Sequence, residues 1–150
     1  MTRSGVIALT ITLTLAASPS LARKERVPIE GSGRVIIVEA TINQRVTGRF
    51  LLDTGASYCV ISKDTANSAN LSGRKDGRKV RMTTASGAQM EATVGQARRV
   101  EIGDAVARDV EVAVVDGNPF PGFQGLIGLS FLQRFKYSVD SRSGVLLLED

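Results

Sequence analysis

The residues best placed to do chemistry lie in one stretch, Phe50-Leu51-Leu52-Asp53-Thr54-Gly55-Ala56-Ser57. Three apolar residues suited to a buried strand run directly into Asp-Thr-Gly, so a carboxylate is delivered at the end of a rigid, dry element. Taking an ionised carboxyl out of water costs free energy unless it is paired, hydrogen-bonded or shares its charge. Either the sequence breaks a folding rule at Asp53 or it builds a site there. An Asp-Gly-type turn after a strand is ordinary turn chemistry, and the triplet alone decides little. Two additions sharpen it: Ala56-Ser57 behind the apolar run and its turn, and a second apolar-apolar-Gly element downstream, Leu126-Ile127-Gly128.

Composition removes most competing chemistries. The 150 residues include no histidine, which excludes Ser-His-Asp and Cys-His hydrolases, His-ligated zinc and His general bases. A single cysteine, Cys59, allows no intramolecular disulfide and no Cys-rich metal site. Its setting, Tyr58-Cys59-Val60-Ile61, fits a small core residue better than a reactive thiol. Neither a P-loop nor a Gly-x-Gly-x-x-Gly is present.

Phe50 to Ser57 resembles the active-site loop of the retropepsin-like aspartic proteases, the single-lobed relatives of pepsin that include bacterial members. Gly125-Leu126-Ile127-Gly128-Leu129-Ser130-Phe131-Leu132 resembles their second hydrophobic-hydrophobic-Gly element and the short helix after it. The resemblance runs from about Val35 to Leu148. It implies an all-β fold: a retropepsin-like closed barrel of short strands with a flap hairpin and one or two short helices.

The resemblance also implies a mechanism and a partner. One domain of this size carries one Asp-Thr-Gly, so a second catalytic carboxylate must come from another copy of the chain. Two Asp53 carboxyls a few ångströms apart cannot both ionise cheaply; one proton is retained and the pair titrates as a unit. The charged member takes a proton from water while its protonated mate hydrogen-bonds to the scissile carbonyl of a polypeptide substrate. No covalent nucleophile, metal or cofactor is needed. Thr54 takes the family role of bonding across the dimer axis, Gly55 offers its N–H to the carboxylate, Ser57 donates its hydroxyl to Asp53, and Gly128 lets the second element pack behind the loop. Retroviral members carry Asp where Ser57 stands and a basic residue where Leu129 stands, so dimer contacts built on those charges do not carry over. The alternative is a non-catalytic module of the same fold that binds extended peptides by strand addition or serves in assembly.

Around these motifs the chain reads mostly as short strands. Val35–Ile42 and Arg45–Leu52 form a hairpin about Asn43-Gln44, its second strand ending on Asp53. Val60-Ile61 continues as a strand, and Ser62 caps a helical turn from Lys63 to Asn67 with Asp64 at its positive end. Lys79–Ala85 and Ala88–Val94 pair about Ser86-Gly87, where Gly supplies a positive φ. This is a plain surface hairpin on pattern alone; the resemblance makes it a substrate flap with Thr84, Ala85, Ser86 and Gly87 at its tip. Val100–Ile102 and Val106–Val115 are two more strands about Gly103-Asp104. Gly117–Gly125 is a Gly/Pro/aromatic loop bordering the cleft. Ser130 caps a short helix through Arg134, and Tyr137–Asp140 pairs with Gly144–Leu148.

The N-terminus has Arg3, an apolar run from Gly5 to Ala17, and Ser20-Leu21-Ala22 ahead of Arg23-Lys24-Glu25-Arg26. This pattern is a secretory signal, residues 1–22, or else an uncleaved N-terminal anchor; the apolar run is short for a stable span. Residues 23–32 read as a linker and 33–150 as the protease domain. Export to the periplasm or outside the cell follows, with membrane contact through residues 5–17 if the segment stays. Without residues 1–22 the Lys and Arg total falls from 19 to 18 against 15 acids, a net charge of +3. That mild excess implies no nucleic-acid partner, and the basic residues of 74–81, split by Asp76-Gly77, read as a solvated loop.

Overall fold

The hairpin expected ahead of Asp53 is present: β2 (Ile36–Ile42) and β3 (Val46–Leu52) run antiparallel in register from Ile36 opposite Leu52 to Ile42 opposite Val46. The structure is a computed structural model and describes residues 23–31, 35–71, 77–84 and 87–150. Val38, Ala40 and Ile42 on one strand and Val46, Phe50 and Leu52 on the other point into the core, as a period of two requires. At the turn Asn43 and Gln44 both take positive φ, the twist that suits a tight hairpin. The Asn43 side chain donates to the Ala69 carbonyl and accepts from the Arg99 N–H, so the turn is tied to two neighbouring elements.

β4 (Cys59–Ser62) is buried along its whole length, and its continuous apolar run marks a strand covered on both faces. Ser62 ends it and caps α1 (Lys63–Ser68), its hydroxyl accepting the Thr65 N–H with Asp64 in the first turn. β5 (Arg78–Thr83), β6 (Gln89–Ile102) and β7 (Ala105–Val115) make two successive hairpins. β8 (Gly125–Ile127) and α2 (Leu129–Leu132) follow, then the hairpin of β9 (Lys136–Asp140) and β10 (Val145–Glu149).

The larger sheet has the order β2-β3-β8-β4-β7-β6-β5, and a further pairing of β2 with β6, Thr41 opposite Glu101 and Ile42 opposite Val100, closes it. The result is the expected closed barrel with two short helices. β5 hangs outside the closed circuit, paired among the described residues with β6 alone. Phe50, Ile61, Ile127, Phe131 and Leu132 fill the interior beside the Asp53 loop.

Three expectations change. β6 is one strand, not two separated by a break at 95–99, because Gly95 to Arg99 keep their partners on β7 except where Asp109 takes positive φ opposite Arg98. Arg98 is exposed and the half-buried Arg99 pairs with Glu101, so their charge does not mark an end to the pairing. Lys24–Pro28, expected within a linker, forms β1, antiparallel to β10 in the smaller sheet β1-β10-β9. Its lone inward apolar residue, Val27, is 5% exposed, and one such residue among charges gives no visible alternation. Ser130 lies inside α2; Gly128 occupies the cap position with no side-chain bond. The signal or anchor at 1–22 and the basic residues at 74–76 lie outside the described residues. Among the described residues no helix is long and apolar enough to cross a membrane.

Candidate active site

β3 pairs in parallel with β8, Phe50 opposite Gly125 and Leu52 opposite Ile127, and the Asp53 N–H extends this ladder by donating to the Ile127 carbonyl at 2.9 Å. The two motifs singled out in the sequence, 75 positions apart at Asp53 and Gly128, are therefore neighbours through hydrogen-bonded backbone. Beyond this point the loop 53–58 leaves the sheet and is held from behind by the start of α2. The Leu129 N–H donates to the Ala56 carbonyl at 2.8 Å and the Ser130 N–H to the Ser57 carbonyl at 3.0 Å. A helix start has free N–H groups and no intrahelical partner for them, so the loop carbonyls satisfy both sides at once.

Gly128 permits this approach. A Cβ there would collide with the Tyr58 carbonyl and sit 2.7 Å from the Ala56 oxygen, both rigid backbone. The loop's exit is fixed by a side chain: the buried Cys59 N–H donates to Ser130 Oγ at 2.9 Å. Burial pushes the Cys59 thiol above its ordinary pKa, against the opposing pull of hydrogen bonds from Ser130, Gly128 and Phe131. Cys59 is a core residue here, 1% exposed, as its apolar context implied.

Asp53 Oδ1 accepts the Gly55 N–H at 2.8 Å. Asp53, Thr54, Gly55 and Ser57 are all exposed in the single chain, although Leu52 beside them is 8% exposed. The dry strand thus stops one residue short of the carboxylate. Within the chain neither the Ser57 hydroxyl nor any other side chain bonds Asp53 among the described residues, and Thr54 makes no intrachain hydrogen bond. Ser57 contributes its carbonyl, to Ser130, not its hydroxyl to Asp53.

The β5–β6 hairpin and the 117–125 loop converge on the flank of this loop. Val80 pairs with Ala92 and Met82 with Met90, and this face packs against Tyr58, Val60, Ala113, Val115, Phe120 and Leu126. At the tip the Thr84 N–H donates to the Ala88 carbonyl and the Gly87 N–H to the Thr84 carbonyl, with Gly87 at φ +82°. Ala85 and Ser86 of the expected tip lie outside the described residues. The loop is pinned as well: the Gln124 N–H donates to the Arg49 carbonyl, and the Arg49 guanidinium sits 5.4 Å from the centre of the Phe123 ring. A cavity of about 350 Å³ lies on the other side of the hairpin, lined by Lys63, Asn67, Lys79, Glu91 and Asp116, and does not touch Asp53.

A family model described as gag-polyprotein putative aspartyl protease matches residues 38–134, well over half of the chain and spanning both pinned motifs. The chain belongs to this aspartic protease family. Its fold is shared with two solved structures. A retropepsin-like aspartic protease from Rickettsia conorii aligns at TM-score 0.61 and 22% identity over 86% of this chain and 92% of its own. The retroviral protease-like domain of Ddi1 from Leishmania major aligns at TM-score 0.54 and 20% identity over 79% of this chain and 90% of its own. No curated protein matches the chain. The Asp53 loop and its Gly128 support are visible in the sequence, whereas Ser130 as the loop's anchor is not. Ser ahead of an apolar run looks like a helix cap, and its use by a strand 71 positions away leaves no local signal.

Proposed function

We propose that the chain is an exported aspartic endopeptidase that hydrolyses peptide bonds with water activated between two Asp53 carboxyls, one from each chain of a homodimer. The observation that carries this reading is the presentation of Asp53. Its carboxylate is oriented by the Gly55 N–H on a loop pinned by Gly128, Leu129 and Ser130, yet among the described residues it lies open to solvent with no side-chain partner. An anchored, outward carboxylate of this kind is completed by a symmetric mate, since a two-fold interface brings the same patch of both chains together. In this reading Thr54, exposed on the same loop, meets its counterpart across that axis.

In the dimer the pair keeps one proton. The ionised carboxylate accepts a proton from the attacking water and the protonated one donates to the substrate carbonyl; the roles exchange as the tetrahedral intermediate expels the amine. The β5–β6 hairpin lies over the flank of the Asp53 loop and acts as the flap, covering an extended polypeptide and excluding bulk solvent around the attacking water and the reacting bond. Hydrolysis accordingly peaks below neutral pH. The basic, apolar and small-residue pattern of residues 1–22 supports export, tested by the N-terminal sequence of the secreted chain.

The experiment is Asp53→Asn, which keeps size and hydrogen bonding while removing the acid. Loss of peptide hydrolysis with circular dichroism and sedimentation unchanged is expected. Undiminished hydrolysis removes the assignment, and inhibitor binding with no turnover of any peptide by the wild-type chain favours the non-catalytic peptide-binding module instead.

A further inference from the structure

The apolar face shared by the β5–β6 hairpin, β7 and the Tyr58–Val60 segment changes character along its length. Towards the tip it is apolar, with Met82, Met90, Val80 and Ala92. Arg78, two residues before Val80 and so on the same face of β5, ends it at the stem. Arg78 Nη2 donates to Tyr58 Oη at 3.1 Å and pairs with Glu111 Oε1 at 3.2 Å, and the guanidinium lies 6.0 Å from the centre of the Tyr58 ring. Glu111 shares its face of β7 with Ala113 and Val115, members of the same apolar cluster. One guanidinium therefore joins the first residue of the flap stem, the barrel wall and a residue five positions after Asp53.

We propose that Arg78 is a positioning residue that latches the stem of the β5–β6 hairpin to the active-site loop through Tyr58 and to the barrel through Glu111, setting how the hairpin closes over a bound peptide. This rests on the endopeptidase reading for its consequence, not for its geometry. Among the described residues β5 has a strand partner on one side alone, and its stem is also held by the apolar face and by this guanidinium. The Arg78 and Glu111 side chains are 59% and 55% exposed, and a pair so open to water adds little to the stability of the fold. What it fixes is orientation, because Tyr58 Oη, Glu111 and the ring define a single direction for the planar guanidinium. Tyr58, Phe120 and Leu126 all pack against the cluster of Val60, Ala92, Ala113 and Val115, so a shift of the stem is passed to the segment that follows the Asp53 loop.

The test compares amide hydrogen exchange in the wild type, Arg78→Ala, Tyr58→Phe and the double variant. The hydroxyl-less Tyr58→Phe keeps the packed ring and serves if Arg78→Ala folds poorly. Each single variant is expected to speed exchange across residues 78–83 by about two- to fivefold, the range an exposed charged contact supplies, with residues 136–149 unchanged. The double variant is expected to match Arg78→Ala, because Tyr58→Phe removes a bond that Arg78→Ala has already removed. For a cleaved peptide, KM rises by about the same factor while kcat is retained. Unchanged exchange at 78–83 in both single variants, or additive effects in the double, overturns the latch. Exchange needs no turnover, so this result stands apart from the Asp53→Asn test of the protease itself.

Discussion

Ser130 Oγ accepts the backbone N–H of Cys59 across 71 positions of sequence, at 2.9 Å. This bond fastens the strand leaving the Asp53 loop to the helix that follows the second motif. Both ends of the loop are thus held by one segment: Ile127 takes the Asp53 N–H at its start and Ser130 takes the Cys59 N–H at its end. A carboxylate carried between two such fixed points has little freedom to wander, which is what in-line activation of a water requires.

Ser130→Ala leaves the buried Cys59 N–H without its side-chain acceptor. A buried donor stripped of its partner costs about 1–3 kcal/mol. A lower urea midpoint with an unchanged m value is expected, together with a fall in kcat, since Asp53 sits on the loop that loosens.

Gly128→Ala is the more damaging change. The new methyl group meets the Tyr58 and Ala56 carbonyls, backbone that cannot rotate away, so loop and helix must separate. Overpacking of this kind costs about 1–3 kcal/mol or more. Thermal unfolding is expected to show the loss, and hydrolysis to fall further than in Ser130→Ala because the whole loop is displaced.

The Asp53 loop, the Gly128 element and the barrel are legible in the sequence because strong local signals mark them. Phe50–Leu52 and Leu126–Ile127 are apolar runs that lead straight into turn residues, and β3 alternates buried with less buried positions along its length. Ser62 as a cap was also readable, its bond reaching three residues on to Thr65. Features decided by distant partners were hidden. β1 is a strand because β10 offers it an edge, and β6 continues through Arg98-Arg99 because β7 runs beside it. The exposure of Asp53 was obscured for a similar reason: periodicity places Leu52 inside but says nothing of where the barrel surface ends.

Asp140 gives a pH test of the terminal sheet. The Ser143 hydroxyl, then the N–H groups of Ser143 and Arg142, hold its carboxyl below the ordinary range against partial desolvation, with Arg26 assisting. A lowered folded-state value means that the contribution is present above the unfolded-state value and is lost as pH falls through the folded one. Asp140→Asn is expected to be less stable than the wild type in urea at neutral pH. The gap is expected to shrink steadily as the solution is acidified.

Cys59 gives a chemical test of the packing behind the active loop. It is 1% exposed and its thiol is held protonated by burial, so a thiol reagent at mildly alkaline pH has neither access nor thiolate. Labelling is expected to be slow in the native protein and complete in denaturant. Rapid native labelling would contradict the close seat of α2 on the loop.

The most direct test of the central claim, that each chain supplies half of the catalytic centre, is a mixing series of wild-type and Asp53→Asn chains at fixed total concentration after subunit exchange. With one carboxylate from each chain, mixed dimers are inactive, and at equal amounts about a quarter of the dimers remain wild type on both sides. Activity is then expected to fall as the square of the wild-type fraction. A straight-line decline, with each wild-type chain keeping its own activity whatever its companion, would contradict a shared pair of Asp53 carboxyls.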